Sequence, residues 1–354
     1  MQTGMGFCPV GITKDRSSYR WFYGTLDGEN HKIDNIYIDM SSNEKQMNAA
    51  LISFGVTSTV VKNLEISGNI KNNWHTAGIL GGENCKLIQN CKNNVNITGF
   101  NMAGGIIANM LSGKAENCVN TGNISITGMA WAYGGVGGIA GTMSNATIEN
   151  SINKGTFNSE KYNGDSIGGI LGVAGSKAIV NHCIVEGTNK NAGGIVGFCR
   201  DSSSTLIENS CCLGSYKNGI ISNYNGASWD SGVELSIKNC YSIGNNENAG
   251  IIGYIGTLAK EMDLNISNCY VSGKNKYAII GSNSNASGTT KNTVIENTYY
   301  DPSTTSNIGA ITDGITGITI KNNQDFVNTL NTNASGNEDW SLWKIGDDGY
   351  PTFQ

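Results

Sequence analysis

Cysteine, histidine and carboxylate are the residues here that could do chemistry, and their spacing says what kind. The chain holds 10 cysteines and only 3 histidines, with 28 Asp and Glu. A thiolate is a nucleophile or soft metal ligand, an imidazole is a general base, and paired carboxylates cleave glycosides. A zinc-peptidase site needs two His on one helical turn with a Glu between them. His31, His75 and His182 stand far apart, so no His-based metal site is expected, and no nucleophile elbow either. The carboxylates Glu149, Glu208 and Glu296 each follow an Ile and precede an Asn. Three such positions in ten repeats read as a solvated edge rather than a catalytic row. Asp165, Asp230 and Glu234 fall in long loops, Asp347-Asp348-Gly349 reads as a turn, and no calcium-type G-G-x-G-x-D repeat occurs.

Five of the cysteines occupy one recurring position. In Ile237-x-Asn239-Cys240-x-x-x-Gly244 the residue after the Asn belongs to a series: Ile36, Leu64, Cys91, Cys118, Ser151, Cys183, Ser210, Cys240, Cys269 and Thr298. Successive members differ by 28, 27, 27, 33, 32, 27, 30, 29 and 29 residues. The residue before each is Asn, at 35, 63, 90, 117, 150, 209, 239, 268 and 297, except for His182. A second half-motif, small-Gly followed by an apolar pair, recurs at Gly78, Gly105, Gly138, Gly169, Gly194, Gly219 and Gly250, with Ala278 in the same place.

Each half is a short β-rich apolar run bounded by Gly and Asn, which predicts strands. One unit cannot bury its apolar side alone, whereas stacked units can. The expected fold is all-β: a single right-handed parallel β-helix of about ten coils with N- and C-terminal caps, its coils about 4.8 Å apart. Asn tolerates left-handed backbone at a sharp corner, and stacked amides can bond from coil to coil. Asn117, Asn150, Asn239 and Asn268 are therefore expected to form a corner ladder. Cys91, Cys118, Cys183, Cys240 and Cys269 are expected to form a buried, reduced one, since stacked Cβ atoms lie wider apart than the roughly 3.8 Å that a disulfide prefers. Cys8, Cys85, Cys199, Cys211 and Cys212 lie off this ladder, and one of the adjacent pair Cys211–Cys212 is expected to be exposed.

The repeat resembles the GLUG-motif repeats of bacterial surface proteins. Phe7-Cys8-Pro9-Val10-Gly11, followed by Phe22-Tyr23-Gly24-Thr25-Leu26-Asp27-Gly28, is similar to the opening of such arrays, with Asn30 where that pattern has Gly. Phe326-Val327, Leu330-Asn331, Trp340 and Gly349-Tyr350-Pro351 are similar to their closing segment. The organisation expected is a β cap over 1–32, repeats over 33–300, and a C-terminal capping segment over 301–354. That last segment has one short helix at Gln324–Asn331. The resemblance implies an extracellular or cell-surface location within a larger exported protein. It also implies an adhesin-like stalk or binding module without catalysis. Two rivals stay open: a polysaccharide-active β-helix enzyme, and a scaffold region of a secreted protease.

Charged residues make up 14% of the chain and the net charge is −5, which disfavours nucleic acid and anionic membrane. No apolar run reaches membrane-spanning length. No cofactor or metal is expected, and the isolated fragment is expected to be monomeric. Extra length sits in loops at 123–135, 156–166, 222–235, 254–264 and 282–294. Loops on a rigid scaffold carry function, and Trp and Tyr anchor sugars and interfaces. Trp131, Tyr133, Tyr224 and Trp229 are therefore the candidate ligand-binding residues, for a glycan or a host surface protein. Thr98 and Thr127 do not extend into the long Thr row that an ice-binding face would need.

Overall fold

The computed structural model describes residues 6–13, 17–43, 45–128, 134–158, 166–200, 204–225, 231–256, 261–283 and 292–354. The chain winds into a parallel β-solenoid of about eight turns, slightly fewer than the ten corners in the sequence. One long sheet of 19 strands takes the first half-motif of every coil. The second half-motif supplies an eight-stranded and a seven-stranded sheet. Strand β1 (Thr25–Met40) pairs in parallel with β2 (Val60–Asn72), so coil-to-coil pairing reaches back into the segment expected to be a cap.

Each half-motif proves to be strand–corner–strand. All ten predicted corner residues have positive φ, between 47° and 57°, and His182 is among them at 51°. The left-handed region is open to Asn and, less readily, to His. In the second half the chain turns between Ala103–Gly104 and Ile107–Met110, so that Gly105 and Ile106 form the corner. Glycine is required there by close approach. A Cβ on Gly105 would lie 2.1 Å from Gly138 O and 2.5 Å from Asn120 Cγ. The interior is that narrow because Gly105 faces the residue two places after the Cys ladder.

Between these corners the core is a stack of Ile, Val, Leu, Ala and Cys, nearly all of it closed to solvent. It also contains a polar ladder that the sequence reading passed over. Asn93 donates to Asn120 Oδ1 at 2.7 Å and Asn120 to Asn153 Oδ1 at 2.8 Å, all three fully buried. Buried amides survive because the coil above and the local backbone satisfy them.

At the N-terminal end, Val10 and Phe22 bridge in parallel to Ile52 and Gly55, and Phe22 packs against the core. Tyr19 stacks on Phe54 at 4.0 Å with Trp21 edge-on, while Tyr23 points to solvent. The expected helix is present as α1 (Gln324–Ala334), capped by the Asn323 side chain, which accepts from Phe326 N at 3.0 Å. Phe326, Val327 and Leu330 are its buried side, as expected. Residues 303–321 hold one short strand, Ile315–Gly317.

Candidate functional site: a strapped asparagine corner and an acidic groove

The C-terminal segment does not lie only over the end of the solenoid. It folds back along the side as a strap across the late coils. A second apolar core forms beneath it from Cys211, Tyr241, Tyr270 and Tyr299 on the coils and Phe326, Val327, Leu330 and Trp343 on the strap. Tyr241 and Tyr270 stack at 5.1 Å, and Tyr299 meets Phe326 edge-on at 5.0 Å. A hairpin of Trp343–Ile345 and Pro351–Phe353 closes the strap, with Gly349 (φ 83°) in the turn that the Asp-Asp-Gly sequence predicted.

The strap is held by the corner ladder. Asn209 donates to Asp339 O at 2.9 Å and accepts from Ser341 N at 2.8 Å. Asn239 donates to Ser341 O at 2.9 Å and accepts from the Trp343 indole N–H at 2.8 Å. Asn268 donates to Leu330 O at 3.2 Å. The same amides also bond along the ladder, Asn239 to Asn209 at 2.8 Å and Asn268 to Asn239 at 2.7 Å, while Asn209 donates to Asn181, beside the His182 corner, at 3.0 Å. An amide NH₂ carries two donors, and here one runs to the preceding coil while the other reaches the strap. Earlier in the rod the ladder continues without a strap, from Asn90 to Asn63 at 3.0 Å and from Asn117 to Asn90 at 3.2 Å.

The five ladder cysteines are buried and unpaired. Each thiol donates to the carbonyl two residues back: Cys91 to Gln89 O at 3.3 Å, Cys118 to Glu116 O at 3.4 Å, Cys183 to Asn181 O at 3.3 Å, Cys240 to Lys238 O at 3.1 Å and Cys269 to Ser267 O at 3.2 Å. Ser151, Ser210 and Thr298 make the equivalent bond. From Cys91 onward the position thus holds a small side chain that can donate, whereas Ile36 and Leu64 hold it in the first coils. The same carbonyls also accept a backbone N–H from the preceding coil, as Glu116 O does from Asn90 N at 3.1 Å. Burial pushes the Cys91 thiol up to about 11 and the Cys183 thiol up to about 12. Off the ladder, Cys85, Cys199, Cys211 and Cys212 are all buried. The expectation that one of Cys211 and Cys212 is exposed fails because the strap covers Cys211.

The acidic residues before the corner form a column. Glu116 and Glu149 face each other on adjacent coils, then Asn181, then Glu208. Glu116 escaped notice because Ala115, not Ile, precedes it. Lys114 Nζ lies 2.5 Å from both Glu116 and Glu149 and holds the Glu116 carboxyl below its ordinary range. Glu208 sits beside the strap in a groove lined by Glu149, Asn181, His182, Glu338, Asp339, Trp340 and Ser341. Burial, and then repulsion from Asp339, pushes its carboxyl up. His182 Nε2 lies 2.9 Å from Ser341 Oγ, and burial lowers its basicity. Glu296 lies further along the long sheet, opposite Ser267. No group of three His, Cys, Asp or Glu suited to a metal occurs among the described residues.

Among the loop aromatics, Tyr224 is fully buried and its hydroxyl donates to Asp263 O at 3.1 Å. That removes it from the candidate binding residues: it belongs to a strand of the seven-stranded sheet and points into the core. Trp131, Tyr133 and Trp229 lie outside the described residues. One G-x-S-x-G spacing does occur, at Gly164-Asp165-Ser166-Ile167-Gly168, although no such elbow was expected. Ser166 is buried and leads straight into the strand Ile167–Gly168, whereas an elbow needs strand–turn–helix.

The strapped Tyr column was legible in principle. Tyr241, Tyr270 and Tyr299 each follow the ladder residue, at a position that must point outward, so three consecutive coils advertise an apolar outer face. The fold and this corner define the chain as a parallel β-solenoid repeat protein. No protein-family model, curated protein or solved structure matches it.

Proposed function

We propose that this chain is a non-catalytic structural and binding rod from a bacterial surface or secreted protein of the GLUG-repeat type. One observation carries the reading: among the described residues, the ladder thiols, Lys114 with Glu116 and Glu149, and His182 with Glu208 are built into the architecture. Each ladder thiol donates to a backbone carbonyl, Lys114 pairs with Glu116 and Glu149, and His182 and Glu208 lie against the strap. Such a rod presents its loops at fixed spacing. The proposed ligands are glycans or a host surface protein, engaged through Trp131 with Tyr133 and through Trp229. The test is a glycan-array and matrix-protein binding screen of the wild type, Trp131→Ala and Trp229→Ala. Binding lost in either variant supports the reading, and binding untouched by both counts against the loop aromatics.

A polysaccharide-active reading draws on the acidic column. Glu149 and Glu208 are two coils apart, about 10 Å by coil rise, near the upper end of the separation used by inverting carboxylate pairs. Polysaccharide turnover by the wild type that is lost in Glu208→Gln would replace the non-catalytic reading with this one.

A further inference from the structure

The strap shows what the corner face of this solenoid binds, and that face continues beyond the strap. The residue after the ladder position forms an outward column in strict register: Val119, Ile152, Ile184, Cys211, Tyr241, Tyr270, Tyr299. The last four are buried beneath the strap. Val119, Ile152 and Ile184 are all half-buried, and Ile184 packs against the strap core at its margin. Before Val119 the column becomes polar, with Lys92 paired to Glu65 at 3.6 Å, so the uncovered apolar stretch is three rungs long.

The corner beside it repeats the chemistry that grips the strap. Asn209 and Asn239 spend one N–H on the preceding coil and give the other to strap carbonyls. Asn117 likewise gives one N–H to Asn90, and it has no second acceptor among the described residues. Asn150 makes no side-chain hydrogen bond among them. Both are exposed. The uncovered rungs thus offer amide donors next to an apolar column, which is the pairing an extended backbone with one apolar side chain satisfies.

Charge sets the partner apart from the strap itself. At its leading edge the strap places Glu338 and Asp339 in the groove with Glu149 and Glu208, like against like. The column Glu116–Glu149 runs on along the uncovered corner with Lys114 as its one close cation among the described residues.

We propose that the corner of Asn117 and Asn150, with Val119, Ile152 and Ile184, docks an extended peptide segment of a partner protein. Its carbonyls accept from the corner amides, an apolar side chain packs on Ile152, and basic residues stand where the strap has Glu338 and Asp339. The proposal rests on the reading of the chain as a binding module and names a surface apart from the loop aromatics.

The probe is a dye-labelled, end-blocked peptide with the sequence of residues 337–346, made as the native sequence and with Glu338→Lys and Asp339→Lys. Fluorescence anisotropy with the intact chain should give saturable binding, tighter for the Lys peptide and weakened by raised salt. Ile152→Glu should weaken it at least about tenfold, the loss of a single well-buried apolar anchor. Asn117→Gly, which keeps the left-handed backbone, should weaken it several-fold. Melting curves and native thiol protection check that both variants are folded. No saturable binding at millimolar peptide overturns the proposal. So does binding indifferent to Ile152→Glu, which would place the peptide elsewhere or in exchange with the strap. A glycan that binds and is lost in Ile152→Glu, with no peptide binding, overturns it in favour of sugar and leaves the binding-module reading standing.

Discussion

The ladder cysteines are hydrogen-bond donors as well as hydrophobes. If apolar volume alone decided the position, Val would serve as well as Cys. If the bond to the carbonyl decides it, Ser should serve better by about 0.5–1.5 kcal/mol, the net worth of one hydrogen bond, since Lys238 O keeps its bond from Asn209 N at 3.2 Å either way. At Cys240, whose thiol lies 3.1 Å from Lys238 O, Cys240→Ser should be milder than Cys240→Val in denaturant midpoint. Native thiol titration should miss Cys118, Cys183, Cys240 and Cys269, and denaturant should reveal all four. Fast native labelling of all four would contradict their burial. Glu208 makes the opposite case, a group held against its preference. Its carboxyl is raised, chiefly by burial, so the folded chain binds that proton more tightly than the unfolded chain. By linkage, stability falls as pH rises through the interval between the ordinary carboxylate value and the raised one. Glu208→Gln should therefore raise the melting temperature at neutral pH, with the gain vanishing near about pH 4, where the wild-type group is protonated.

At the scale of the element, the corner has two regimes. Asn90 is exposed and serves one ladder bond at each side, whereas Asn239 is buried and carries four bonds, two of them to the strap. Glycine keeps positive φ at either position but removes the amide. Asn90→Gly should cost under about 1 kcal/mol and Asn239→Gly about 2 kcal/mol or more, because the Trp343 indole and Ser341 carbonyl lose their partners. Asn90→Val should cost more than Asn90→Gly, since a β-branched residue resists the left-handed region. Comparable stability of Asn90→Gly and Asn239→Gly would contradict the strap's dependence on the ladder. The corners and the thiol column were legible in the sequence because a solenoid repeats its backbone demands, and a periodic demand leaves a periodic residue. The strap was legible only as a helix and some aromatics, because its docking depends on non-repeating partners such as Trp343 and Leu330 and on contacts more than 100 residues apart. Tyr224 misled for a related reason: an aromatic near a length change looks like a loop residue, and only strand register showed it facing inward.

Across the whole molecule, the strap ties coils to one another that otherwise touch only their neighbours. A solenoid's stability is close to a sum of nearest-neighbour terms, so its ends fray first. Here Asn209, Asn239 and Asn268 on three consecutive coils bond to one segment. Trp343→Ala should cost about 3–5 kcal/mol by loss of a buried aromatic. It should also split one unfolding transition into two, with the late coils melting first. A single transition at unchanged temperature would show that the strap does not lock these coils.

The corner amides also have a direction. Each bonded corner amide donates toward the N-terminus, in two stretches separated at Asn150 and His182: Asn268 to Asn239 to Asn209, and Asn117 to Asn90 to Asn63, the second ending on a carboxylate where Asn63 donates to Asp27 at 3.0 Å. That bond is the main reason the Asp27 carboxyl falls to about 2. The buried row Asn93–Asn120–Asn153 donates the other way. The early coils thus carry two opposed short rows of side-chain amide dipoles, and Asp27 plays for the outer one the part that an acidic N-cap plays for a helix. Its contribution is present above pH 3.8 and is lost as pH falls toward about 2. Asp27→Asn should therefore remove an acid-dependent step that hydrogen exchange would place in the first coils and nowhere else.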